Sequence, residues 1–272
     1  MDDLQNMTVN DVKEWHDTWY APNNATMVVS GDVEPKQVFA LAQKYFGSYP
    51  AKTLTRPRPQ NEPPQEGIKR VTVKAPAENP YVVLAFKVPA LRDIARDDDA
   101  YALDVLSAVL DGYDNARLSA KLVRTDRVAN DVGASYSGIA RGPVLFILDG
   151  TPAQGTTTEQ LEKLLRAEVQ RIATEGVSEA ELKRVKTQLI AAQIYKRDSV
   201  FGQAMEIGVM EMSGFSYRDT DRVIEKLRAV TPQQVQAVAQ KYFGDDALTV
   251  GTLVPLPMTE KKPVAAPAGL RH

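Results

Sequence analysis

The chain has no cysteine and only two histidines, His16 and His272, among its 272 residues. Without cysteine there can be no disulfide, no cysteine-held zinc and no thiol nucleophile, and the redox compartment cannot be read. Charge of one sign is also missing. The 33 basic and 35 acidic residues leave a formal charge of −2, which gives no electrostatic footprint for nucleic acid or anionic lipid. No apolar run approaches the roughly 18 residues that a membrane-spanning helix needs. No leader pattern opens the chain. What is present is ordinary for a globular protein, 43% hydrophobic and 25% charged. The length is enough for one large domain or two.

The most informative feature is a phrase used twice, Thr8 to Val33 and Thr231 to Val254. Each copy opens on a threonine that can cap a helix, runs through about a dozen residues with helical apolar spacing, and ends that helix in a bulky pair, Trp19-Tyr20 or Tyr242-Phe243. A breaker follows, Pro22-Asn23-Asn24 or Gly244-Asp245-Asp246. Each copy then closes on an apolar strand, Ala25 to Val29 or Ala247 to Val250. The separation is the size of a whole domain rather than a solenoid period. The second copy follows a long series of strands and helices, whereas seven residues precede the first. The expectation is therefore that this chain is a piece of a longer protein, divided upstream of Met1.

In chain order, Thr8 with Asp11 predicts a capped helix burying Val12, Trp15, Trp19 and Tyr20. A second helix starts near Pro35, turns Val38, Leu41, Ala42 and Tyr45 inward, and ends at Gly47. Pro57, Pro59, Pro63 and Pro64 mark residues 51–67 as an extended linker. Ile68–Ala75 and Tyr81–Val88 read as strands, with Val71, Val73 and Ala75 alternating against polar residues. A helix opens on Asp97-Asp98-Asp99, where its dipole favours negative charge, and buries Tyr101, Ala102, Val105, Leu106 and Val109. Ala116–Arg124 is a short helix. Asn130–Ile139 and Val144–Asp149 form a hairpin around Arg141-Gly142-Pro143. Thr158–Ala173 is amphipathic. Ser178 and Glu181 form a capping box that opens a helical stretch to about Met212, with a break near Asp198-Ser199. Another helix covers Asp219–Ala229, and the second phrase follows. The division expected is 1–50 as the closing part of a first domain, 51–67 as linker, 68–255 as a second domain and 256–272 as a disordered tail. The fold class is α+β, a mostly antiparallel sheet covered on one face by long helices.

The residues offer no complete catalytic site. His16 has no second histidine four residues away and no neighbouring glutamate to form a ligand pair, and zinc needs three protein ligands even at an open site. His272 is the last residue. No Gly-x-Ser-x-Gly elbow accompanies a serine. The glycine-rich run Gly133 to Gly138 lacks the Lys-Ser/Thr of a phosphate loop and reads as a bend or close packing within a strand. Asp97 to Asp99 lacks the alternating oxygens and closing glutamate of a calcium loop. Arg117, Lys121, Arg124 and Arg127 could meet an acidic partner, but read first as a solvated face. The substrate-binding residues are unknown, and no catalytic or metal-binding residue is assigned.

Several stretches resemble the insulinase/pitrilysin-like metallopeptidases, in the branch that includes mitochondrial processing peptidase and bacterial zinc proteases. Thr8 to Val12 with Trp19-Tyr20-Ala21-Pro22-Asn23-Asn24 and the run on to Val33 is similar to the end of that family's first domain. Leu118 to Leu122 leading to Val132-Gly133-Ala134-Ser135-Tyr136 resembles the middle of its second domain, and Ser178 to Lys186 the part after it. The resemblance implies an ancient duplication into two related α+β domains. It also implies a His-x-x-Glu-His zinc site with a distal glutamate in the first domain, a motif absent from this chain. Zinc is thus expected upstream and no cofactor within these residues. The family's second domain often carries an arginine and a tyrosine seven residues apart that hold substrate. Alignment through Val132-Gly133-Ala134 puts Val123 and Asn130 at those positions, and neither matches, so the roles are not carried over. In two-subunit members the zinc-bearing subunit often lacks that pair.

The function this implies is the C-terminal, non-catalytic part of a zinc metalloendopeptidase, shaping a substrate chamber and contacting a partner subunit. The parent's substrate would be a peptide or unfolded protein, and its partner a second family member or a homodimeric copy. The chain by itself would be inactive. A bacterial periplasm is the compartment favoured. Two other readings stay open, an inactive assembly subunit of the same family and an unrelated small-ligand module with a pocket between sheet and helices.

Overall fold

Strand and helix alternation sorts the chain into the elements of a computed structural model that describes residues 2–55 and 62–258. Helices α1 (Asp2–Asn6), α2 (Val9–Trp19) and α3 (Pro35–Phe46) come first. Strands β1 (Lys69–Pro76) and β2 (Tyr81–Val88), helix α4 (Asp98–Asp111) and strands β3 (Ala129–Tyr136) and β4 (Val144–Pro152) follow. Five helices, α5 (Thr158–Glu175), α6 (Glu179–Tyr195), α7 (Val200–Met212), α8 (Thr220–Ala229) and α9 (Pro232–Tyr242), precede the last strand, β5 (Leu248–Leu256). Pro57 and Pro59 of the expected linker, the tail from residue 259 onward, and His272 with it, lie outside the described residues.

The chain divides into two units. One comprises Met1–Pro64 with Ala192–Asp221, the other Gln65–Ala191 with Arg222–His272. The second unit holds a five-stranded sheet in the order β1-β5-β2-β4-β3. Three of its pairings are antiparallel and the β1–β5 pairing is parallel. The architecture is the α+β class expected from the sequence.

Alternation divides the side chains of each strand between two faces. Val82, Leu84 and Phe86 of β2, Phe146 and Leu148 of β4, and Leu248 and Val250 of β5 are buried on one face, where α4, α5 and α9 pack. The α4 residues Tyr101, Ala102, Val105, Leu106 and Val109 and the α5 residues Leu161, Leu165, Val169 and Ile172 complete this core. Three rings hold its centre. Phe243 lies 4.8 Å from Phe86 and 5.0 Å from Phe146, within the range where aromatic pairs add to burial.

Edge strand β1 turns its alternating valines away from the helices. In register with β5, Val71 lies opposite Gly251 and Val73 opposite Leu253, on the face turned away from the helices, so both valines are exposed. Arg70 is the β1 residue that turns toward α5, where it pairs with Glu162 at 2.8 and 2.9 Å. Alternation set the period correctly, but it cannot say which of its two faces is buried.

The first unit holds the larger corrections. α2 forms with the expected capping box, Thr8 and Asp11 bonding reciprocally. Its apolar stripe is not buried, since Val12 is 54% and Trp15 58% exposed. Leu41 and Tyr45 of α3 are exposed as well. Residues 25–30 form no strand. A strand exists only through the bonds of a neighbour, and this unit contains no strand among its described residues. The segment rests instead on α7, with Val28 beside Gly208 and Gly31 beside Val200.

Two helical readings also change in detail. The short helix before β3 is a π-type turn over Ser119–Thr125, wider than the regular helix expected, as the i→i+5 bond from the Asp126 amide to the Lys121 carbonyl shows. The long stretch after Ser178 does break where expected, at the 3-10 turn Lys196–Asp198, and restarts on the Ser199 cap.

Candidate functional site

Each described residue that the sequence singled out has a place in one of these two units, and most of them turn out to hold the fold. His16, on α2, stacks on Tyr20 with ring centroids 4.5 Å apart, and its Nδ1 lies 3.3 Å from Asp17 Oδ1. Both side chains are well exposed. Among the described residues no three His, Cys, Asp or Glu side chains are grouped so that they could hold a metal ion.

The acidic helix start of α4 is occupied by its own neighbours. Asp97 accepts from the Arg92 and Asp93 amides, Asp98 pairs with Lys226 at 2.9 Å, and Asp99 takes Lys241 at 2.8 Å and the Tyr242 hydroxyl at 2.5 Å. The Lys241 ammonium beside it, then the Tyr242 hydroxyl, hold the Asp99 carboxyl below its ordinary range. The Lys226 bond fastens α8 to the start of α4, and the Lys241 and Tyr242 bonds fasten α9 to it. They are internal braces rather than a cation site.

Gly133 is a point of close approach. A Cβ there would sit 2.8 Å from Asp149 Oδ1. Asp149 in turn accepts from the Tyr81 hydroxyl at 2.7 Å, and burial first, then that bond, pushes the Tyr81 phenol above its usual range. The close packing expected of this glycine run is what the strand shows.

The basic quartet separates into unlike members. Lys121 pairs with Asp126 at 3.0 Å. Arg124 bonds Asn115 Oδ1 and the Asp114 carbonyl, which ties the π-type turn to the preceding loop. Arg127 takes a positive φ of 55° between that turn and β3. Arg117 is no solvated residue. Its Nε and Nη2 meet both carboxylate oxygens of Glu181 at 2.8 and 2.7 Å, with side-chain exposures of 20% and 16%. This overturns half of the Ser178 capping box. The Ser178 hydroxyl accepts from the Glu181 amide at 3.2 Å, but the Glu181 carboxylate is committed to Arg117. The two residues are 64 apart in sequence, so no local pattern announces the pair. Val123 and Asn130, at the positions of the family's arginine and tyrosine, include one polar group, and Asn130 Nδ2 lies 3.4 Å from the Pro152 carbonyl.

Beneath Arg117, sequence reasoning missed Glu168. It is 3% exposed, its Oε1 pairs with Arg171 at 3.0 Å and its Oε2 has no partner. Burial raises its pKa against the pull of Arg171 and Arg117. A carboxyl raised by folding opposes the fold when ionised, and the cost fades as pH falls toward the folded value. Glu168→Gln is therefore expected to raise the melting temperature at about pH 8, with the gain shrinking as the pH is lowered to about 5. Thermal melts of both proteins across that range check it.

The first unit carries a concave surface. A cleft of about 950 Å³ is lined by Trp15, Trp19, Tyr20, Met27, Phe46 and Tyr49. It brings together Trp15, Trp19 and Tyr20, which the sequence had assigned to a core, with Phe46 of α3 and Tyr49. It offers contact area and no set of acid, base and nucleophile.

Comparison with known proteins gives this geometry a context. The family model described as the peptidase M16 inactive domain matches residues 6–189. The zinc protease PqqE of Helicobacter pylori is 33% identical over 191 residues, which is 68% of this chain and 41% of that protein. The crystal structure of a protease from Helicobacter pylori is similar at 27% identity with a TM-score of 0.85, over 94% of this chain and 61% of that one. The periplasmic protease PqqL of Escherichia coli shares the fold at 16% identity and a TM-score of 0.73, over 93% of this chain and 29% of that one. The chain spans about half the length of the curated relatives it matches, from 41% to 57% of each.

Proposed function

The chain belongs to the family of the peptidase M16 inactive domain, and from that premise we propose that it is the non-catalytic part of a zinc metalloendopeptidase, where it walls a substrate chamber and contacts a second family subunit. The observation that carries the reading is the inactive-domain match over residues 6–189 together with relatives named as zinc proteases. An unrelated small-ligand module has no support left beside it.

The zinc site would lie outside these residues, because the donor set here does not fit one. There is no cysteine, there are two histidines, and no ligand-bearing cluster occurs among the described residues. No step of peptide hydrolysis is therefore assigned to this chain. Its contribution would be to position substrate and to exclude water from a chamber. The uncovered face of the sheet suits that role, with Tyr81, Val83, Ile147 and Asp149 presenting mixed apolar and polar groups on adjacent strands β2 and β4. No helix among the described residues is long and apolar enough to cross a membrane. A bacterial periplasm is the compartment we favour, supported by the periplasmic protease among the structural neighbours.

The test is metal analysis and peptide cleavage on the purified 272-residue chain. After dialysis against zinc it should hold much less than one equivalent and cleave a fluorogenic peptide library at the buffer rate. Stoichiometric zinc with turnover that a chelator removes would overturn the proposal.

A further inference from the structure

Helices α5 and α9 pack side by side over the sheet, yet they leave an open groove of about 440 Å³ between them, within the range of small-molecule sites. Its width follows from the sequence. Among the lining residues α5 contributes Ala167 and α9 contributes Ala239, and neither side chain is long enough to close the gap. Phe86 and Val169, both buried, and the half-buried Phe243 form an apolar floor. The walls are fixed in place. Phe243 is held by Phe86 and Phe146 at 4.8 and 5.0 Å. The Gln240 amide donates to the Ala173 carbonyl at 2.6 Å, which clamps α9 to the end of α5.

The rim is cationic. Lys163, Arg166, Ala167 and Gln170 follow one another at i, i+3, i+4 and i+7, a single stripe of α5 that borders the groove. Arg166 Nη2 meets Asp245 Oδ1 at 2.5 Å, which holds the guanidinium at the mouth and leaves its other nitrogens without a partner among the described residues. The Lys163 ammonium has no ion pair or hydrogen bond among the described residues. No acidic residue lines the groove among them either. Against the single Asp245 carboxylate, the mouth keeps one uncompensated positive charge. A solvated helix face needs no apolar floor, whereas these two cations border phenylalanine rings.

We infer that this groove binds a small monocarboxylate with an aromatic body, its carboxylate between Lys163 and Arg166 and its ring against Phe243. One uncompensated positive charge matches a monoanion. The two donors are complementary, a planar guanidinium that offers paired N–H groups to a carboxylate and an ammonium that acts as a point charge. The floor rings favour a flat apolar body, because aromatic pairs add to burial. Inorganic phosphate would engage the cations and leave the floor empty. The groove is on the helix-covered side of the sheet, away from the face proposed above for the substrate chamber. Its ligand is therefore a free small molecule rather than a peptide in transit, and the inference requires neither zinc nor catalysis.

The probe is para-fluorohydrocinnamate, followed by its fluorine resonance as the 272-residue chain is titrated in. The expected result is a saturable shift with a Kd of about 1 mM or lower, the scale for a ligand of this size. Lys163→Gln should weaken binding about tenfold or more, and so should replacing the probe by its neutral amide. Ala167→Leu, which puts a branched side chain into the groove, should abolish binding. Both positions are exposed, so neither substitution should move the melting temperature. Absence of a saturable shift, binding that survives Ala167→Leu, or equal affinity for the acid and its amide overturns the inference. Displacement of the probe by an equal concentration of inorganic phosphate does so too, because the floor would then contribute nothing. Zinc content and cleavage are not read, so failure here leaves the proposed function standing, and the reverse also holds.

Discussion

Phe146→Ala is expected to cost about 3–5 kcal/mol of stability, the range for deleting a buried aromatic ring. Native domains hold only about 5–15 kcal/mol in total, so the variant should be near half unfolded at modest urea. The size follows from position. Phe146 is fully buried and opposes Phe86 across the β2–β4 pairing. Its ring meets Phe243 at 5.0 Å edge-on and Tyr136 at 6.2 Å. Losing it opens a cavity between the sheet and the end of α9. Phe201→Ala, on a residue 74% exposed, should change stability by no more than about 0.5 kcal/mol. Urea denaturation of both variants measures the contrast. Equal effects would mean that the three-ring centre does not bind sheet to helix as described.

Arg117→Ala should have the second large effect, a loss of about 3–5 kcal/mol, because it strands the Glu181 carboxylate in a mostly buried site. The pair has bidentate geometry, which adds direction to charge, and Nη2 also lies 3.3 Å from the Gly176 carbonyl at the end of α5. It thus joins the loop after α4 to the junction of α5 and α6. Attraction between buried charges is largely offset by their desolvation. The double variant Arg117→Met with Glu181→Leu should therefore recover most of the loss. Chemical denaturation of the single and double variants checks this. If the double variant is no better than Arg117→Ala, the pair's role is one of shape that apolar groups cannot reproduce.

What the sequence made legible was local. The capping box at Thr8, the capping threonine at 231, the hairpin between β3 and β4, the buried stripe of α4 and the break near Ser199 all depend on residues within a few positions of one another. The repeated phrase was legible for the same reason, and its two copies correspond in the structure through the helix and the 3-10 turn, though only the second continues into a strand. What could not be read was set by distant partners. The β1-β5-β2-β4-β3 order needs strand β5, late in the chain, to insert beside β1. The capping box at Ser178 looked complete until Arg117 claimed the Glu181 side chain. The face on which Val71 and Val73 would lie depended on β5 as well. The error over Ala25–Val29 was the same in kind. An apolar run of strand-forming residues becomes a strand when another strand offers it hydrogen bonds, and sequence alone reports only the run.

The candidate site divides along the same line. The lack of zinc-ligand spacing could be counted from composition, because ligand chemistry is a matter of residue type. The orphaned Glu168 oxygen and the aromatic cleft of the first unit could not, because burial and exposure depend on what packs against a helix. Trp15 and Val238 have the same helical position in equivalent helices and opposite surroundings.

The central claim, one phrase folded twice with its sheet supplied only once, is tested most directly by amide hydrogen exchange on the chain alone, resolved to residues 25–29 and 248–252. The account predicts that 248–252, paired on both sides by β1 and β2, exchange only through global unfolding. Residues 25–29 should exchange orders of magnitude faster, close to the rate of an unprotected peptide. Comparable protection in the two segments would contradict it, because the first copy would then already possess the partner strands that the account places elsewhere.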